Sequence, residues 1–320
     1  MRRLHRLLGL FALAVLACAL GCKGPEAPAA PALDLDADPV ALLPGSVVAV
    51  ASLDARAMFA SQSLGAQLAA LADSFMPFGE DAGFQPKRDL DRVVLGMTTS
   101  SGADVAAVLS GRFDPAKIAA LKAARGGAPV THATYAGQPT SAVGDVLVAV
   151  LTAHTAVAGT GDGVRRVLER VQDAKAKAGA KLERAIPVWM LEPLATPGAS
   201  VAAVADFSTQ PVAAAAIGSI RLPWLEGLHV AKVVGNFEEP GMNVAATLTY
   251  GDASQASTAA DGVRSADRWL RVLGPLLGGL SLKDLDVKTD GGDLTCTFAV
   301  DDATLAHLLG LVSQLLPAPR

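Results

Sequence analysis

An α+β fold is what this chain predicts, made of two similar halves that each carry a mostly antiparallel sheet with helices on one face. Three observations carry the expectation. Short apolar stretches are joined by turn residues rather than by long crossovers, helical spacing follows the hairpins, and the same order of elements occurs twice.

The elements can be justified in order. Ser46-Val47-Val48-Ala49-Val50-Ala51-Ser52-Leu53-Asp54 is echoed by Ser200-Val201-Ala202-Ala203-Val204-Ala205-Asp206-Phe207-Ser208. Each reads as a buried strand ending in a helix-capping residue. A strand pair follows in each half, about residues 91 to 98 with 103 to 110, and about 228 to 237 with 242 to 250. Ser100-Ser101-Gly102 and Glu239-Pro240-Gly241 supply the hairpin turns. Asp114-Pro115 and Asp252 then open helices, the acid satisfying orphan amides and Pro fitting the first helical position. Further strands close each half. After Asp162 a helix puts Val164, Val167, Leu168 and Val171 on one face, and after Asp302 another does the same with Leu305, Leu308, Leu309, Val312 and Leu316. The halves are placed at 41–177 and 200–320, with a Pro-rich linker at 178–199 anchored by Trp189 and Met190.

The amino terminus follows a different logic. Arg2, Arg3 and Arg6 precede an uncharged run from Leu7 to Leu20, then Gly21 and Cys22, the three-part layout of a secretory signal covering 1–21. A run of about 14 apolar residues is too short to span a bilayer, which needs about 20. Ala19-Leu20-Gly21-Cys22 resembles the lipobox of bacterial lipoproteins, whose cysteine receives a diacylglyceryl group and becomes the first residue after cleavage. Ala19 stands where Leu is more usual. Val15-Leu16-Ala17-Cys18 offers a second box, but a cut there would leave apolar Ala19-Leu20 outside the run. The resemblance covers the amino terminus alone and implies a membrane anchor through lipid on Cys22.

Residues 22–40 are rich in Pro and Ala and show no apolar periodicity, so they read as a solvated tether. In the family that the lipobox resembles, an Asp after the cysteine tends to retain the protein in the inner membrane. Lys23 stands there instead, which implies the periplasmic face of the outer membrane. The body is also similar to exported lipoproteins that begin after the tether with a Leu-Leu-Pro step, here Leu42-Leu43-Pro44. That class has no assigned activity.

Composition excludes several functions. The formal charge is −4, and loss of the three signal arginines makes it three units more negative, so nucleic acid is not an expected partner. Hydrophobic residues make up 51% of the chain but aromatics only 4%, so the core must rest on Ala, Val and Leu rather than on stacking platforms for glycans. Cys296, in the apolar stretch Leu294-Thr295-Cys296-Thr297-Phe298, reads as a small core residue with no partner for a disulfide.

No catalytic, metal or cofactor motif stands out. His132, His154, His229 and His307 lack chelating or triad spacing and are expected at surface or edge positions. Gly159-Thr160-Gly161-Asp162-Gly163 lies where phosphates are often cradled but misses the dinucleotide and P-loop patterns, which leaves a strand-to-helix turn capped by Asp162. Asp34, Asp36 and Asp38 imitate an EF-hand opening, yet Pro39 replaces the required Gly. Glu238-Glu239 and Asp301-Asp302 fit a hairpin turn and a helix start. No serine sits in a Gly-x-Ser-x-Gly or Ser-x-x-Lys pattern, so covalent catalysis has no sequence candidate. The expectation is a non-enzymatic binding or scaffold module of the cell envelope that meets a protein partner and needs no cofactor. The alternative is a carrier or sensor of an apolar ligand held in a sheet-lined cavity.

Overall fold

The two echoed stretches become β1 (Ala49–Asp54) and β8 (Val201–Asp206), and they pair with each other, Val50 facing Val204 and Ser52 facing Ala202. The computed structural model describes residues 33–315, apart from 63, 77, 103, 125–126, 178–180, 212–224, 239–240 and 275–279. From the central pair the sheet grows outward on both sides. One side adds β2 (Leu90–Met97), β3 (Val105–Gly111), β7 (Thr155–Thr160), β6 (Val146–Val150), β5 (Gln138–Val143) and β4 (Thr131–Tyr135). The other adds β9 (Leu228–Phe237), β10 (Gly241–Tyr250), β12 (Asp293–Asp301) and β11 (Lys283–Asp290). All twelve strands belong to one antiparallel sheet.

The α+β class therefore holds, and the described strands and later helices recur in the same order, while the helix expected after β8 falls in 212–224, outside the described residues. In each half three strands run outward, a helix intervenes, and a later strand returns to pair with the third: β7 with β3, and β12 with β10. The β4–β5 hairpin is what the first half adds.

Alternation decides which residues reach which face. Along β3, Val108 enters one core cluster and Leu109 another; along β7, Val157 and Ala156 divide in the same way. On the Leu109 face lie α1 (Ala55–Ala60) and α2 (Gly65–Phe75), which bring Phe59, Leu64 and Leu68 onto Phe113 and Ala156. Two short helices follow, α3 (Pro86–Asp89) and α4 (Pro115–Ala120), the latter capped by Asp114, which accepts from the amides of Ala116 and Lys117. On the Val108 face lies α5 (Gly161–Ala176), with Val164, Val167, Leu168 and Val171 fully buried. Four such side chains contribute about 6–12 kcal/mol as an upper bound, at ~1.5–3 each.

The expected single helical layer thus becomes two in the first half. The reason is that β3 and β7 are apolar on both sides, so neither face can be left to water. In the second half the pattern is simpler. Following the register from Leu109 through Val93, Leu53, Val201 and Gly235 to Val244 puts Ala246 on the α1–α2 face. There α7 (Ala253–Leu273) sets Ala256, Ala259 and Ala260 against Ala246, Leu294 and Cys296. Its final helix, α8 (Asp302–Leu315), brings Leu305 and Leu309 to the cluster beneath α2. The side chains of Leu308 and Val312, and all of Leu316, lie outside the described residues.

Three expected boundaries shift. The segment taken as a linker, 178–199, buries Ile186 and Met190 (the latter on α6, Val188–Leu191) in the core beneath α5, so its described part belongs to the body. The tether expected over 22–40 ends earlier: Leu35 is buried in that same core, Asp36 accepts hydrogen bonds from Thr152 and Thr155, and Asp38 pairs with Arg184 at 2.6 Å. The α5 cap is Thr160, whose hydroxyl accepts from the Gly163 amide, while Asp162 sits in the first turn. A hydroxyl two residues earlier in the chain takes the capping geometry because β7 runs directly into the helix.

Candidate functional site

The lipidation site expected at Cys22, and the alternative at Cys18, lie outside the described residues. The remaining candidates are placed as follows. His154 is exposed, with Nδ1 3.2 Å from the Gly111 carbonyl, and His229 is exposed on β9. His307 is half-buried on α8. His132 is exposed on β4, the outermost strand. Eight strand spacings separate β4 from β9, about 38 Å at ~4.8 Å per spacing. His132 and His229 therefore belong to no common site.

Asp301 caps α8 by accepting from the Thr304 amide at 2.9 Å, and that bond, helped by Lys283 at 3.3 Å, holds its carboxyl below the usual range. Glu238 accepts from the Asn243 side chain, and Glu239 lies outside the described residues. Cys296 is buried among Leu294, Ala246 and Ala260, and burial raises its thiol pKa, which suits a packing role. In the glycine-rich turn, a Cβ at Gly159 or Gly163 would stand 2.2 or 2.3 Å from the Val105 carbonyl oxygen. Those glycines let the β7–α5 corner close onto β3, and the amide of Gly163 is taken by Thr160. Among the described residues no group of three or more His, Cys, Asp and Glu converges as metal ligands do.

Two arrangements go beyond what sequence reading singled out. The first comes from strand pairing. The β4–β5 register sets His132 opposite Ser141, with Nδ1 2.9 Å from Oγ, while Nε2 lies 2.6 Å from the Leu121 carbonyl oxygen. A carbonyl oxygen can only accept, so in the neutral ring Nε2 carries the hydrogen. The Nδ1 lone pair then faces Ser141, whose hydroxyl donates to it. Both residues line a cleft of about 370 Å³ between α4 and the sheet, together with Ile118, Thr134, Val148 and Val150. Sequence reading missed Ser141 because its partner lies nine residues away across a hairpin. The alternation of β4 and β5 was the signal that could have found it.

The second lies on α7. At about 100° per residue, the buried stripe through Ala256, Ala260 and Asp267 leaves Trp269 and Val272 on the far side of the helix. They are 66% and 72% exposed, one turn apart. Arg268 and Arg271 flank them, the first donating to Ser265 and the second to Asp267 at 2.8 Å each. Together the two apolar side chains offer roughly 250 Å² of surface.

No family model and no curated protein matches this chain. Among solved structures it is similar to TP0453 in crystal forms I, III and IV, at 12%, 10% and 9% identity. The matches cover 88%, 88% and 85% of this chain and 98%, 100% and 96% of TP0453, with TM-scores of 0.52, 0.52 and 0.51. At that identity what the two chains have in common is the fold.

Proposed function

We propose that this protein is a lipid-anchored module of the outer membrane, facing the periplasm, whose body docks onto another envelope protein through the carboxy-terminal end of α7. The observation that carries the reading is the exposure of Trp269 and Val272 beside Arg268 and Arg271. Trp and Arg are the residue types that dominate binding energy at protein interfaces, and a large apolar ring left in water has a standing free energy to gain by being covered. The anchor contributes the rest: two or more acyl chains on Cys22 would confine the body near its membrane and raise its effective concentration toward partners there.

A photo-crosslinking residue in place of Val272, in cells, tests this. The expected result is a discrete adduct of defined mass that Trp269→Ala abolishes, with no such adduct from the same residue placed at Thr295 on the bare face of β12. Equal labelling at both positions, or an adduct indifferent to Trp269→Ala, would remove the support for this surface. The carrier reading draws on a groove of about 430 Å³ lined by Thr196, Asn236, Asn243, Ala245 and Thr297. Pro197, Ala199, Val234 and Phe298 complete a lining that is more apolar than polar, which keeps an apolar ligand there as the alternative.

A further inference from the structure

We infer that Ser141 and His132 form a nucleophile and base pair that accepts an acyl group from a small carboxylic ester bound in the cleft beneath α4. The argument starts from the hydrogen-bond directions. A serine hydroxyl is a weak nucleophile until a neighbouring base takes its proton, and the diagnostic arrangement is nucleophile, base, and a third group that orients the base. All three are present: the Ser141 hydroxyl, the Nδ1 lone pair of His132 at 2.9 Å, and the Leu121 carbonyl that fixes the ring by accepting from Nε2 at 2.6 Å.

The surroundings favour a substrate over a purely structural polar pair. Ser141 is buried, 5% exposed, and yet it faces a cleft rather than packed side chains. Ile118, Val148 and Val150 give that cleft an apolar wall for a short acyl chain, and Thr134, two residues along β4 from His132, also lines it. His132 lies at the exposed rim, where an alcohol can leave.

The reaction balances without any further reagent than the ester and water. As the Ser141 oxygen bonds to the ester carbonyl carbon, its proton passes to His132 Nδ1. The bond from that carbon to the alkoxy oxygen then breaks, and the same proton leaves with the alcohol. Water repeats the sequence in the second half: it attacks the acyl-serine, His132 takes its proton and returns it to the serine oxygen, and a carboxylic acid departs. Pro115, at the start of α4, lines the cleft but carries no amide hydrogen, and the next two amides, of Ala116 and Lys117, already donate to Asp114, so the expected turnover is slow and the acyl-serine is the species to detect.

The test uses the whole mature chain, purified in detergent, with a fluorophosphonate probe, followed by intact mass measurement and peptide mapping. One adduct per chain is expected on the peptide holding Ser141, absent in Ser141→Ala and slowed at least a hundredfold in His132→Gln. Glutamine can still donate to the Leu121 carbonyl and accept from Ser141 but cannot carry a proton between atoms, so loss of labelling with unchanged thermal unfolding isolates the base. Hydrolysis of p-nitrophenyl butyrate, abolished by Ser141→Ala, is the second readout. Absence of an adduct on folded wild-type protein, an adduct on another residue, or equal labelling of His132→Gln would overturn the inference. Trp269→Ala should leave labelling unchanged, which keeps this site separable from the docking surface.

Discussion

Val50 on β1 faces Val204 on β8 across the pair that joins the two halves, and both side chains are 1% exposed in one core cluster beneath α5. A core that spans the junction makes the halves one cooperative unit, not two domains on a linker. Calorimetry should accordingly show a single unfolding transition. Val50→Ala and Val204→Ala should each cost about 2 kcal/mol. In the double variant the losses should depart from additivity by more than ~0.5 kcal/mol, because the two sites border the same cavity. Two resolved transitions, or strict additivity, would argue for independent halves.

Asp89 is the charged group whose titration should register most clearly in stability. Its side chain is 5% exposed and lies 2.6 Å from Arg88 and 3.4 Å from Arg112, with the Gln85 amide also donating to it at 2.9 Å. Burial pushes its pKa up, but the bond from Arg88, the Gln85 amide and the charge of Arg112 together hold it below the ordinary carboxylate value. The folded pKa is thus the lower one. The contribution is present above the unfolded value, ~3.9, and is lost as pH falls through the folded value. Asp89→Ala should cost about 1–2 kcal/mol at pH 7, by removing the acceptor of the Gln85 amide and its solvent-screened pairs with Arg88 and Arg112. In urea titrations its deficit relative to wild type should narrow below about pH 4. A deficit independent of pH would mean packing, not charge, is what Asp89 supplies.

Gly163 tests whether the glycine-rich turn is a packing device. In an ordinary helix Gly→Ala gains about 0.5–1 kcal/mol. Here the new Cβ would stand 2.3 Å from the Val105 carbonyl oxygen, so Gly163→Ala should instead lose about 2 kcal/mol as the β7–α5 corner is forced off β3. Chemical denaturation of the variant reads the sign directly, and a stabilised variant would show that the corner is free to open.

For the anchor, Cys22→Ser should move the protein from the membrane fraction to the soluble periplasmic extract once the signal is cut at another position. Continued retention in membranes would sink the lipoprotein proposal, and a shift produced instead by Cys18→Ser would relocate the lipid to the second box.

What the sequence alone determined are the features whose physics is local. The echo of Ser46–Asp54 in Ser200–Ser208, the hairpins, the helix openings at Asp114 and Asp252, and the apolar stripe of α5 were legible because turn chemistry, capping and periodicity act within a few residues. The same locality is what lets a signal and lipobox be proposed from the first twenty-two positions. Only the tertiary structure decided that β1 pairs with β8, since two similar buried strands carry no mark of which edges they will share. It also decided that the 178–199 segment is core, because Ile186 and Met190 find their cavity under α5 rather than in their own neighbourhood. The Ser141–His132 contact and the exposure of Trp269 belong to this second kind. The first depends on strand register and the second on which side of α7 the sheet covers, and both are settled by long-range packing.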